Sequence, residues 1–217
     1  MLEKFINKIK SLAKTPSTID PSKFKDPIAD RTKWTPAKIG GTTFCTHKII
    51  QTNPYSIEFK SSFGAKIFYL LFTLIGLGLI VGFTFSSFHK GINPESIFPI
   101  FIGLIFFLIG GCLFYFGNRP IIFNKMSGHF WKGDQDPKQI IDKSKIKHYC
   151  KLSDIHALQI ISEYCRGNKS SFYSYELNLV LTSAKRLNII DHGNLKKLRE
   201  DAKIISLFLG KPVWDGV

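Results

Sequence analysis

The stretch IFYLLFTLIGLGLIVGFTFSSF, Ile67–Phe88, runs for 22 residues without a charge. A second stretch, Ser96–Asn118, does the same for 23. At ~1.5 Å of rise per residue, either one as a helix crosses the ~30 Å hydrocarbon core of a bilayer. Each holds fourteen Leu, Ile, Phe or Val residues. At roughly −0.3 to −0.6 kcal/mol apiece, these favour insertion by about 4 to 8 kcal/mol per segment. Two buried core helices of a soluble protein are the alternative, but 217 residues leave too little chain to cover both. The spans 66–88 and 96–118 are therefore read as transmembrane helices. Only HKGINPE (His89–Glu95) joins them, so they form a tight antiparallel hairpin. Pro94 and Pro99 suit that turn and the first turn of the second helix. The first run starts too late for a secretory signal peptide, and no small-residue cleavage site follows it.

Charge sets the orientation. Before the hairpin lie 12 Lys/Arg against 5 Asp/Glu, and after it 17 against 10. The turn holds one of each, Lys90 and Glu95. Lys60, Lys66, Arg119 and Lys125 flank the membrane on one side, where positive residues stay cytoplasmic. Tyr69 and Tyr115 lie at that same end, as amphipathic rings at an interface do. Both termini are expected in the cytoplasm. The net charge of +14 suits anionic lipid headgroups as neighbours, and no nucleic-acid-binding motif accompanies it. Cys45, Cys112, Cys150 and Cys165 show no CxxC spacing and imply no disulfide on the reducing side.

Working outward, residues 1–14 place Leu2, Phe5, Ile6, Ile9 and Leu12 on one face of a basic amphipathic helix suited to a membrane surface. Residues 15–41 carry four prolines with little periodicity and read as an extended linker. Residues 42–60 give the first two strands, with Ile57 and Phe59 on one face of the second. After the hairpin come strands at Ile121–Asn124, His129–Lys132 and Ile146–Lys151. Residues 153–165 fit a strand or a helix, with strand preferred. The hairpin of Tyr175–His192 then alternates Leu177, Leu179 and Leu181 against Glu176 and Asn178, which places the two polar residues on the outer surface. A helix at 194–209 closes the chain, with Leu198, Ala202 and Ile205 in its apolar stripe, Gly210 at its cap and Pro212 as its stop.

The segments RPIIFNKMSGHFWK (Arg119–Lys132), LSDIHALQIIS, ELNLVL, LNIIDHG and LREDAKIISLFLGKPVWD cover the last 99 residues. Together with the hairpin they resemble small bacterial inner-membrane proteins whose two-helix hairpin carries a pleckstrin-homology-like (PH-like) β-domain. That resemblance implies a membrane α-helical hairpin plus an α+β cytoplasmic domain. The domain would be an antiparallel sheet or barrel of about seven to eight strands with a C-terminal helix, split between 42–60 and 119–217. It places 89–95 as a periplasmic turn and the protein in the inner membrane, and it supplies no catalytic motif.

The candidate sites follow. Asp191-His192-Gly193 lacks any nucleophile elbow and reads as a strand-to-helix turn. His148, Cys150, Asp154, His156 and Cys165 offer ligand types without a zinc spacing, so neither a metal nor a cofactor is expected. Gly78 and Gly82 form a GxxxG step, supported by Gly76, Gly103, Gly110 and Gly111. It is expected to pack the two helices of one hairpin, with homo-oligomer packing as the alternative. Lys185, Arg186, Lys196, Lys197, Arg199 and Lys203 offer contacts for anionic lipid or a protein partner. The resulting expectation is a non-enzymatic membrane protein that docks a protein partner or anionic lipid. An immunity protein against a membrane-active bacterial toxin is the alternative. Reporter fusions after Lys60, Gly91 and Val217 test the topology: the first and last should report cytoplasm and the middle one the outside. Periplasmic activity at Lys60 or Val217 would end that reading.

Overall fold

The computed structural model describes residues 19–37, 40–91, 94–134, 137, 148–166 and 171–217. In chain order its elements begin with a 3-10 turn at Pro21–Phe24, α1 (Pro27–Arg31), β1 (His47–Asn53) and β2 (Ser56–Ser61). The long helices α2 (Phe63–Lys90) and α3 (Pro94–Gly117) follow. Next come β3 (Ile121–Asn124), β4 (His129–Lys132), β5 (Tyr149–Lys151) and a 3-10 turn at Leu152–Asp154. The chain ends with β6 (Ile155–Arg166), β7 (Ser171–Leu181), β8 (Arg186–His192), α4 (Leu195–Leu209) and β9 (Val213–Asp215). The expected helix at 1–14 lies outside the described residues. The chain divides into two compact units, one of Thr46–Lys48 with Phe59–Pro120, the other of the remaining segments.

In the first unit α2 starts at an N-cap, where Ser62 Oγ accepts from Ala65 N at 3.2 Å. The helix runs beyond the expected 66–88 at both ends. Because α3 begins at Pro94, Pro99 sits in its second turn, not its first. Both helices are long and apolar enough to cross a membrane, and only 11% of each apolar window is buried inside the protein. They lie antiparallel: Tyr69 meets Gly117, Thr73 meets Gly110, and Gly76 meets Gly103 and Phe107. Phe72 stacks on Phe106 at 5.5 Å. Any Cβ at Gly76 would collide with the backbone of Gly103 and Phe107, so absent side chains let the helices close. The step that the sequence singled out does not do this. A Cβ at Gly78 or Gly82 would meet nothing within 4 Å. Gly76 of α2 and Gly103, Gly110 and Gly117 of α3 make the contact instead, because helix rotation, set by the whole apolar surface, decides which stripe faces inward. At the Tyr69 end, the Arg119 guanidinium lies over the rings of Tyr115 (4.9 Å) and Phe116 (4.8 Å).

The strands form two sheets. One has the order β1-β2-β3-β4-β5 and the other β8-β7-β6-β9. The tight turn after β3 is held by Asn124, whose side chain accepts from Ser127 N at 3.0 Å while its carbonyl accepts from Gly128 N at 2.9 Å. It returns the chain so that Phe123 pairs with Phe130, rings 4.8 Å apart. The ambiguous segment is a strand: β6 pairs antiparallel with β7 from Ile155↔Leu181 to Arg166↔Ser171. A ninth strand was not anticipated. Pro212 ends α4, and Val213–Asp215 then pairs parallel with Leu158–Ile160 of β6, so the second sheet is mixed. Three residues carry too little alternation to be read as a strand.

The described part of 15–41 is not a linker. Asp26 bonds His156 Nε2 at 2.7 Å, and Gln159 Nε2 donates to Lys33 O at 3.1 Å. Arg186 Nη1 donates to Thr35 O at 2.7 Å. Further along, Glu176 Oε2 accepts from Ala37 N at 2.9 Å, Glu163 Oε1 from Gly40 N at 3.1 Å and Ser174 Oγ from Thr42 N at 3.0 Å. Phe24, Ile28 and Trp34 pack on Ala29, Ala157, Val180 and Trp214, with Phe24 stacked on Trp34 at 5.0 Å. The segment is a strap over one face of the second sheet, and the backbone polar groups of a proline-rich chain are satisfied by side chains of that face.

This strap overturns the expected surface placement of Glu176 and Asn178. Leu177 and Leu179 are buried as anticipated, yet Glu176 and Asn178 are also at 0% exposure. Both faces of β7 are covered. Leu179→Ala should cost about 2–5 kcal/mol by leaving a cavity. Glu176→Ala should cost about 1–3 kcal/mol by orphaning the Ala37 N–H and the Asn178 amide. Denaturation of the full chain in detergent, followed by tryptophan fluorescence, measures both. A neutral Glu176→Ala would mean that the strap is not held by this carboxylate.

Candidate functional site

Of the six cations read as contacts for anionic lipid or a protein partner, Arg186 and Arg199 are engaged within the fold. α4 is capped by Asn194, whose Oδ1 accepts from Lys197 N at 3.1 Å, and it ends at Gly210 in the left-handed region (φ 65). Its inward stripe of Leu198, Asp201, Ala202 and Ile205 is buried. The opposite face presents Lys196, Glu200 and Lys203 to solvent, with Ile204 at 40% and Leu207 at 75% exposure. A shallow groove of about 520 Å³ is lined by Leu195, Lys196, Arg199, Glu200 and Lys203. Arg199 is already tied, its Nε donating to Asp215 Oδ2 at 2.6 Å and its Nη2 to Val217 O at 2.8 Å. Arg186 is engaged by the strap and by Gln159. Burial pulls its guanidinium below its ordinary value, opposed by the Glu176 charge. Lys185, on the β7–β8 turn, is exposed, and Lys197 is half-buried.

His192 is not poised for catalysis. It is 2% exposed, and its Nδ1 accepts from Asn194 N at 2.8 Å as part of the strand-to-helix turn. Burial first, and the Lys197 charge second, hold its pKa below the usual imidazole range. A Cβ at Gly193 would collide with Thr43, so this glycine lets the end of the strap pass. Cys150 is buried, and its thiol is pushed up to about 12 by burial and by Asp154. Among the described residues, no three His, Cys, Asp or Glu side chains converge on one point.

A second basic feature was not read from the sequence. Lys125, Ser127, Gly128, His129, Lys151, Leu152, Ser153, Leu209 and Lys211 line a cleft of about 560 Å³. These residues belong to the β3–β4 turn, the end of β5 with its following turn, and the C-terminal end of α4. No run or spacing in the sequence joins them; only the sheet register and the helix placement do. Lys125 had been noted solely as a membrane-flanking charge. Comparison with known protein families, with characterised proteins and with solved structures finds no match for this chain.

Asp201 gives the domain an expected pH dependence of stability. Its carboxylate is 3% exposed, and burial raises its pKa from 3.8 to about 6, against the lowering effect of Lys197. The folded state binds this proton more tightly than the unfolded state does. The group's contribution to stability is therefore greatest below pH 3.8 and is lost as pH rises through about 6. Asp201→Asn should raise the melting temperature at neutral pH and have little effect near the unfolded pKa. Paired melting curves across that range, with His192 common to both proteins, isolate the effect. A substitution that destabilises equally at every pH would show that the ionised carboxylate is needed.

Proposed function

We propose that this chain is a non-enzymatic membrane protein in which α2 and α3 cross a bacterial inner membrane as a hairpin. Both termini then face the cytoplasm, and a PH-like domain on that side docks an anionic membrane surface through the outer face of α4. Two sheets followed by a C-terminal helix support the PH-like reading, and the charge distribution of the sequence supports the orientation. The observation that carries the docking role is Leu207, 75% exposed beside Ile204, Lys196 and Lys203 on one helix face. Exposed apolar side chains flanked by lysines suit a headgroup boundary, where the aliphatic groups enter and the ammonium groups pair with anionic lipid. Of the two docking partners considered from the sequence, this combination favours lipid over a protein.

The test reconstitutes the full protein in nanodiscs of phosphatidylcholine, with and without phosphatidylglycerol, and follows hydrogen exchange over 195–209. Phosphatidylglycerol should protect α4. The protection should fall in a Lys196→Gln/Lys203→Gln variant and, separately, in Leu207→Ser. At ~1 kcal/mol per lysine near an anionic surface, the double lysine variant should lose about 2 kcal/mol of docking energy. Protection that ignores both lipid charge and these substitutions would end the proposal.

A further inference from the structure

We propose that the cleft between the β3–β4 turn, the end of β5 and the C-terminus of α4 binds a phosphomonoester, separately from the lipid-facing side of α4. Lys125, Lys151 and Lys211 converge on it from three segments distant in sequence, with His129 beside them. Among the described residues no carboxylate lines it. Three ammonium groups lining one cleft favour an anion there, and a dianion over a monoanion. A phosphomonoester carries nearly two negative charges at neutral pH, whereas a phosphodiester or a carboxylate carries one.

The cleft is also built, not merely charged. Lys125 Nζ sits 4.4 Å over the Phe208 ring, which fixes its ammonium group. The turn that carries Lys125 and His129 is locked to the next segment, since Leu152 N donates to Gly128 O at 2.8 Å. His129 stacks on Tyr149 at 5.1 Å. The two serine hydroxyls are already donating, Ser127 Oγ to Asn124 O at 3.2 Å and Ser153 Oγ to Asp154 Oδ1 at 3.2 Å. Recognition therefore rests on the cations, as point-charge lysines bind phosphate. Leu152 and Leu209 supply an apolar wall, which suits an organic phosphate over the inorganic ion. The opening of about 560 Å³ accepts a headgroup or a small metabolite.

The phosphate can belong to a lipid or to a soluble molecule, and one experiment separates these sources. The full-length protein is placed in phosphatidylcholine nanodiscs and titrated with soluble glycerol phosphate. In parallel it is placed in nanodiscs doped with phosphatidic acid, or with phosphatidylglycerol at matched surface charge. Hydrogen exchange over 125–129, 151–153 and 210–211 reports occupancy. Protection by glycerol phosphate assigns a soluble ligand, and protection by phosphatidic acid alone assigns a lipid. Either result upholds the site, provided that Lys151→Gln/Lys211→Gln weakens binding by roughly 30-fold and Lys196→Gln/Lys203→Gln leaves it unchanged. Lys151 is exposed and Lys211 half-buried, and unchanged exchange in β6 and β7 verifies folding. Equal protection by phosphatidylglycerol and phosphatidic acid, no protection by any probe, or binding unaffected by the cleft substitutions overturns the proposal. None of those results bears on docking through α4, which is read at 195–209 with phosphatidylglycerol.

Discussion

The carboxylate of Glu176, buried in the middle of β7, accepts the backbone N–H of Ala37 at 2.9 Å. Glu163 and Ser174 do the same for Gly40 and Thr42. A charged or polar side chain inside a protein is tolerated only when its hydrogen-bonding capacity is used. The polar face of the second sheet and the proline-rich strap thus require each other: neither would be satisfied alone. With the strap in place, β6 and β7 are covered on both sides, and the Phe24–Trp34–Trp214 cluster extends the apolar core beyond the sheet. Gly41, Gly193 and Gly216 all sit where a Cβ would collide with a neighbour across this contact.

The same covering decides which charges remain available. Arg186 holds the strap, and Arg199 holds the chain end beside β9. Lys196 and Lys203 on α4 and Lys125 and Lys151 beside the cleft stay exposed, flexible point charges that do not demand a fixed bidentate partner. They fall into two groups, one along the outer face of α4 and one in the cleft near its C-terminus. α4 carries the first group and borders the second at Leu209, so its packing through Leu198, Asp201, Ala202 and Ile205 bears on both surfaces.

Local features of the fold were legible. β3 and β4 fall at the residues read from the sequence because a tight turn and alternating side chains are local signals. The two long helices were legible from an uninterrupted run of apolar residues, and α4 from its cap, stripe and terminal glycine. Strand β6 was ambiguous because its buried positions lie on both faces, which erases the alternation that marks a half-exposed strand. Of the lysines proposed to meet an anionic ligand, Lys196 and Lys203 were legible from helical spacing, whereas the Lys125–Lys151–Lys211 cleft was not, since its members are scattered along the chain.

The sequence by itself determined two helices able to cross a bilayer, the charge bias around them, and the position of the C-terminal helix. Each follows from composition and short-range periodicity, which act within a few turns of chain. Only the tertiary structure decided that residues 19–37 and 40–45 form a strap, that Glu176 and Asn178 are interior, that Gly76, Gly103 and Gly110 and not Gly78 or Gly82 bring the helices together, and that three distant lysines share one cleft. The reason is common to all four. A side chain's surroundings are set by partners that reach it from far along the sequence, more than 120 residues away for the strap contacts of Glu176 and Glu163. Such pairings leave no periodic trace in either partner segment.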